Sequence, residues 1–223
     1  MSSAVFAGVR AVLFDLDGTL IDSAPDLGAA AEQMRLARGL APLGVASYRA
    51  VAGMGARGML GVAFGVTPEQ PGFAALRDEF LDRYEACIHD STEVFDGVQP
   101  LVDALCARGL RWGVVTNKHE RFTRLIAARM PLFASSSCLV SGDTTAHLKP
   151  HPASLLEACR RLGLSPAECI YVGDDERDVV AGHAAGMRTV AALYGYLGPG
   201  AQALQWGAQA VIERPMQCLD LLG

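Results

Sequence analysis

The sequence has no CxxC pair and no compact cysteine framework. Its six cysteines, Cys87, Cys106, Cys138, Cys159, Cys169 and Cys218, are dispersed over 223 residues. That excludes a small disulfide-stapled scaffold and fits reduced thiols. Long runs of one charge are also missing. Nineteen basic residues face 24 acidic ones, for a net charge of -5, so a basic nucleic-acid surface is excluded. Each apolar stretch is broken by a charge or a glycine before it reaches the ~20 residues of a membrane span. The first residues, MSSAVFAGVRAV, carry neither the basic region nor the long apolar segment of a secretory signal, and a cytoplasmic location is expected. Internal repeats and low-complexity tracts are absent, which removes a solenoid or a tail from consideration.

Apolar residues, by contrast, are abundant. They make up 51% of the chain, high for a soluble protein but ordinary for an α/β fold with buried strands. The length suffices for one large domain, or one domain and a smaller module. Short β-branched runs recur: VRAVLF (9–14), LRWGVVTN (110–117), CLVSGD (138–143), ECIYVGDD (168–175) and MRTVAAL (187–193), with AQAVIE (208–213) as a candidate sixth at an edge. Helical segments at 121–130, 152–163 and 176–186 separate the later ones, and another at 100–108 precedes the second. This alternation predicts βαβ units and a mostly parallel, Rossmann-like sheet.

The first connection breaks the pattern. A parallel crossover needs about a dozen residues, and far more separate Phe14 from Val114. Most of the gap reads as helix. Residues 23–38 open with Ser23 as N-cap, Asp26 as an aspartate version of the capping box, and Pro25 in the first turn. Residues 48–65 follow, then 71–88, where Phe73, Leu76, Phe80, Leu81 and Tyr84 fall on helical spacing. A helical module over residues 21–92 is therefore expected inside an α/β core made of residues 1–20 and 93–223.

Ligands of an open parallel sheet bind beyond the carboxyl ends of its strands. Four strands end in polar residues: Asp15 and Asp17; Thr116 and Asn117; Ser141 and Asp143; Asp174 and Asp175, followed by Asp178. Lys149 comes after the third. One acidic strand end makes a cap or a turn; several at one edge predict a cation or phosphate site. A carboxylate attacks phosphorus only when the phosphate's charge is neutralised. Mg2+ on oxygen ligands does this, helped by a lysine and by hydroxyl or N–H donors. A second carboxyl group two residues on can protonate the leaving alcohol and then deprotonate water. Strand alternation would point positions i and i+2 the same way, and Gly18 lets the chain turn closely around the site.

DLDGT with Asp15 and Asp17, VVTN with Thr116 and Asn117, KPHP with Lys149, and YVGDDERD with Asp174 and Asp178 resemble, in that order, the four motifs of the haloacid dehalogenase superfamily. They span residues 12–178. The insertion after the first motif is similar to that superfamily's type-1 cap. The resemblance implies the phosphatase branch, because the dehalogenase branch normally lacks the aspartate that Asp17 supplies. It also implies roles. Asp15 would be the nucleophile that forms an aspartyl-phosphate. Asp17 would be general acid and then base, with its main-chain carbonyl on Mg2+. Thr116 and the Asn117 amide would hold phosphate oxygens, and Lys149 would steady the charge on nucleophile and phosphate. Asp174 would be a direct Mg2+ ligand. Asp178 would be either a closing ligand or a partner of Lys149, and Asp175, where many relatives carry serine, a support behind the ligands.

In the inserted module, AGMGARGML (52–60) with Arg57 reads either as a fork for a substrate carboxylate or sugar oxygen or as a helix junction with a surface arginine. Lys118 and His119 read either as facing the substrate or as a solvated helix start. Tyr194 and Tyr196 read as lining the cleft or packing a loop, and His89, His147, His151 and His183 as surface or packing residues. The four motifs resemble bacterial phosphoglycolate phosphatases, while ARGMLGVAFG, WGVVTNK and WGAQAVI look as much like phosphatases of N-acetylmuramate 6-phosphate in cell-wall recycling. The expected activity is Mg2+-dependent hydrolysis of a small phosphorylated metabolite, with 2-phosphoglycolate ahead of N-acetylmuramate 6-phosphate, by a monomer or homodimer. A phosphomutase and a non-catalytic phospho-ligand module are the alternatives from other classes.

Overall fold

A computed structural model describes residues 6–198 and 201–223. In chain order its strands are β1 (Ala11–Phe14), β2 (Ile21–Asp22), β3 (Glu93–Val94), β4 (Arg111–Val115), β5 (Cys138–Val140), β6 (Cys169–Gly173), β7 (Arg188–Ala192) and β8 (Ala210–Ile212). The α-helices are α1 (Ala24–Leu36), α2 (Gly55–Phe64), α3 (Phe73–Cys87), α4 (Val98–Ala107), α5 (Glu120–Arg129), α6 (Ala153–Leu162) and α7 (Glu176–Ala185). The chain divides into two compact units, one of Met1–Leu20 with Val94–Gly223 and one of Ile21–Glu93.

The first unit is a six-stranded sheet in the order β5-β4-β1-β6-β7-β8, and every neighbouring pair is parallel. β1 is central, with Phe14 level with Val114 on one side and Val172 on the other. Its four residues are all buried, which is why this strand reads as a continuous apolar run and not as an alternation. From β1 the chain steps outward to β4 and β5, then crosses back to β6 on β1's other side. The strand order thus reverses between β1 and β6, and ligands of such sheets bind in the crevice beyond that point.

Helices flank this sheet, α4 against β4 among them. α6 packs on β4 and β5, and α7 on β6 and β7, over a core that includes Leu13, Val115, Val140, Leu155, Tyr171 and Ala181. Trp112 is wholly buried. It meets Phe14 edge-on at 6.4 Å between ring centroids, and its Nε1–H donates to Ser135 Oγ (3.1 Å), so the indole brings no unpaired polar group into the core. β8 closes one edge as a short strand.

The second unit holds α1, α2 and α3. Two expectations change here. Residues 48–65 are not one helix: a 3-10 segment, Val45–Met54, precedes α2. Gly55 at the junction has φ +58°, a backbone that turns the chain and that glycine adopts without steric cost. Ser23 stands at the N-cap of α1, but its side chain makes no capping bond. Asp26 forms no capping box either. Its buried carboxylate accepts from the Ser91 N–H (2.8 Å), the Thr92 N–H (2.9 Å) and Thr92 Oγ1 (2.6 Å). Three donors on the returning chain outweigh the single bond that a local cap offers.

All six cysteines are free thiols. Among the described residues no helix is long and apolar enough to cross a membrane.

Candidate active site

The site lies at the carboxyl ends of β1, β4 and β6, within the first unit. β1 ends at Phe14, yet the Asp15 N–H still bonds Val172 O (2.9 Å), which keeps the first carboxylate in register with β6. Leu16 is buried between the half-buried Asp15 and Asp17, so the alternation expected of a strand outlasts the strand itself. The two carboxylates take different partners. Asp15 Oδ1 lies 2.8 Å from Lys149 Nζ, and Asp17 Oδ1 lies 2.9 Å from Lys118 Nζ. Gly18 turns the chain with φ +88°, and a Cβ there would stand 2.2 Å from Asp174 Oδ2. Only glycine fits both demands.

Lys149 enters from the loop between β5 and α6. Asn117 anchors its backbone from both sides: the Lys149 N–H donates to Asn117 Oδ1 (2.9 Å), and Asn117 Nδ2 donates to Lys149 O (3.0 Å). The Asn117 side chain thus holds the neighbouring loop in place, so a phosphate contact from this residue would come from its main-chain N–H. The buried Lys149 ammonium reaches Asp15, Asp178 Oδ1 (2.7 Å), Tyr171 Oη (2.7 Å) and Val115 O (3.2 Å). Its three protons are therefore fully shared out. Burial alone would push its pKa down, but Asp15 and Asp178 outweigh that and hold it above the ordinary value.

Asp174 follows β6. Its Oδ1 accepts from Thr19 Oγ1 (2.8 Å), and its Oδ2 accepts from the Tyr196 N–H (2.7 Å). Asp178 sits in the first turn of α7, and its Oδ2 accepts from the Asp175 N–H (3.1 Å) in a capping box. Asp175 is the N-cap itself. It accepts from the Arg177 N–H (2.8 Å) and Arg177 Nε (2.7 Å), and despite partial burial this arginine keeps its carboxyl below the usual range.

One oxygen each of Asp15, Asp174 and Asp178 lies within 4.8 Å of the others. Burial, then Asp15 and Asp178, push the Asp174 carboxyl well above the ordinary range. Burial pushes Asp178 up to about 6 against the pull of Lys149, with Asp15 adding to the rise. The one buried lysine contacts only Asp15 and Asp178 of these three carboxylates, so the cluster is short of positive charge. Closely spaced, oxygen-only donors suit a hard divalent cation, which would relieve that shortage. The Asp17 side chain is not one of the three, so a role for Asp17 at a metal runs through its main-chain carbonyl.

Thr116 is buried at the end of β4. Its Oγ1 accepts from the Lys118 N–H (3.1 Å), which leaves the hydroxyl's own proton to donate elsewhere. His119 is the N-cap of α5. Its Nδ1 accepts from the Arg121 N–H (3.2 Å) and its Nε2 faces Asp143 Oδ2 (2.9 Å), so both ring nitrogens serve the helix start. Arg57 is exposed in the first turn of α2, in the other unit. Thr19, Tyr171 and Lys118 act on site carboxylates or on Lys149 in ways sequence reasoning did not assign. Thr19 and Tyr171 stand inside the quoted motifs, DLDGT and YVGDD, but the partner of each hydroxyl emerges only on folding.

Residues 9–186 match the haloacid dehalogenase-like hydrolase family. The chain is 46% identical over 208 residues to a phosphoglycolate phosphatase of Xanthomonas campestris pv. campestris, with 93% of this chain and 94% of that one covered. It is 42% identical over 214 residues to an N-acetylmuramic acid 6-phosphate phosphatase of Pseudomonas aeruginosa, with coverage of 96% and 95%. Among solved structures, a protein from Haemophilus somnus 129PT described as a predicted phosphoglycolate phosphatase superposes with TM-score 0.84 at 25% identity, over 96% of this chain and 98% of that one.

Proposed function

The chain belongs to the haloacid dehalogenase-like hydrolases and is a phosphatase of that family, and we propose that its substrate is 2-phosphoglycolate, cleaved to glycolate and phosphate through an aspartyl-phosphate. The observation that carries the chemistry is the close set of Asp15, Asp174 and Asp178, with Lys149 paired to the first and the last of them. Asp15 attacks phosphorus and the bond to the leaving oxygen breaks. Asp17 gives that oxygen its proton, then takes one from the water that hydrolyses the aspartyl-phosphate and frees Asp15. Thr116 Oγ1 and the Asn117 main-chain N–H bind phosphate oxygens. Lys149 stabilises the charge that spreads over them. Mg2+, held by Asp15, Asp174 and the Asp17 carbonyl, would supply the remaining neutralisation of the phosphoryl group. Asp178 Oδ1 pairs with the Lys149 ammonium at 2.7 Å while Oδ2 caps α7, which supports Asp178 as the partner of Lys149.

The raised Asp178 carboxyl gives this metal reading a pH signature. Its folded value is about 6 against an ordinary 3.8. In metal-free protein its contribution to stability is therefore present below about pH 4 and lost as pH rises through about 6. A divalent cation offsets that loss, so the Tm gain on adding Mg2+ is expected to be larger at pH 7 than at pH 5. Equal gains by scanning calorimetry would detach these acids from the metal.

The substrate assignment is supported by the phosphoglycolate phosphatases of similar sequence. A second reading, N-acetylmuramate 6-phosphate, is supported by relatives only slightly less similar and covered over as much of their length. Phosphate release with Mg2+ tests both. A kcat/KM at least about tenfold higher for 2-phosphoglycolate is expected, roughly 1.4 kcal/mol of differential transition-state stabilisation. The reverse preference moves the assignment to the sugar phosphate, and release from neither overturns both.

A further inference from the structure

The loop after β7 contains Tyr194-Gly195-Tyr196, which lies outside the four motif segments. We propose that this loop and Thr19 form one positioning clamp that holds both oxygens of Asp174 for the metal. The inference rests on the reading of Asp174 as a metal ligand. Asp174 is pinned from two sides: Thr19 Oγ1 donates to Oδ1 (2.8 Å) and the Tyr196 N–H donates to Oδ2 (2.7 Å). The two donors lie on different loops, and Tyr194 joins those loops by donating its hydroxyl to Thr19 O (3.0 Å). Phe95 braces the tyrosines, edge-on to the Tyr194 ring at 5.6 Å and tilted against that of Tyr196 at 6.4 Å.

Gly195 completes the clamp by what it lacks. A Cβ at this position would stand 2.3 Å from Asp174 Cβ and 2.5 Å from Asp174 Oδ2. Its backbone is outside the left-handed region, so alanine costs nothing there in backbone conformation. The cost falls on Asp174, which must move. Buried carboxylates repel one another unless a cation is correctly placed among them, and groups that orient a ligand typically govern metal affinity by about 10- to 100-fold. The clamp holds Asp174 with its oxygens oriented before the metal arrives, so little ordering is left to do on binding.

The test is Mg2+ binding to the full chain by isothermal titration calorimetry, without substrate. Gly195→Ala and Thr19→Val are each expected to raise the Mg2+ Kd about tenfold or more, with the loss in rate recovered as Mg2+ is increased. Thr19→Ser keeps the hydroxyl and is expected to restore affinity to near that of the parent chain. If Gly195→Ala does not fold, the Thr19 pair carries the test alone. An unchanged Kd in Thr19→Val overturns the clamp, and so does an equal loss in Thr19→Ser, which would point to the side chain's packing instead of its hydroxyl. Because calorimetry needs no turnover, a parent chain that binds Mg2+ but releases no phosphate sinks the proposed reaction and leaves the clamp standing.

Discussion

Asp15→Asn is expected to reduce phosphate release by at least about 10,000-fold, the scale on which removal of a covalent nucleophile is felt. The amide is nearly isosteric and keeps an oxygen for Lys149 Nζ, which lies 2.8 Å from Oδ1. The Asp15 N–H bond to Val172 O involves only the main chain and is untouched. Removing one of three crowded carboxylates also relieves repulsion on Asp174, whose raised pKa comes partly from Asp15. Thermal unfolding is therefore expected to change little, or to shift slightly upward in metal-free protein. Loss of turnover with the fold intact identifies Asp15 as the attacking group. Retained turnover would place the nucleophile elsewhere.

Lys149→Met should damage both activity and stability. The ammonium is buried among Asp15, Asp178, Tyr171 Oη and Val115 O. Methionine fills most of its volume but leaves two carboxylates facing each other with no cation between them. Breaking a buried ion pair from one side typically costs about 3–5 kcal/mol, and a urea denaturation curve would read that loss as a lower midpoint at unchanged slope. The rate is expected to fall about 100- to 1,000-fold, as when a positioned charge is taken from a developing oxyanion. Mg2+ should recover part of the stability and little of the rate, because the metal offsets repulsion without replacing the positive charge that the proposed mechanism takes from Lys149. Full activity in the variant would remove Lys149 from the mechanism.

The sequence determined the architecture because burial leaves a direct pattern. Ala11–Phe14 is apolar at every position because β1 is covered on both faces, and the later strands and helices follow one another at crossover spacing. It also pointed to the chemistry, since parallel strands must end on one side and Asp15, Thr116 and Asp174 stand at or just beyond such ends, with Lys149 in the loop that follows β5. The pairing of polar side chains was settled by the fold. Asp26 looks like a local cap until Thr92, 66 residues away, claims it. The Asn117 side chain shows no sign in the sequence that it holds the Lys149 backbone from both sides. Thr19 reaches Asp174 across 155 residues. Helix and strand follow from periodicities a few residues long, and hydrophobic burial needs no particular partner. A hydrogen bond does need one, at about 3 Å and in the right direction, and only the completed fold supplies it.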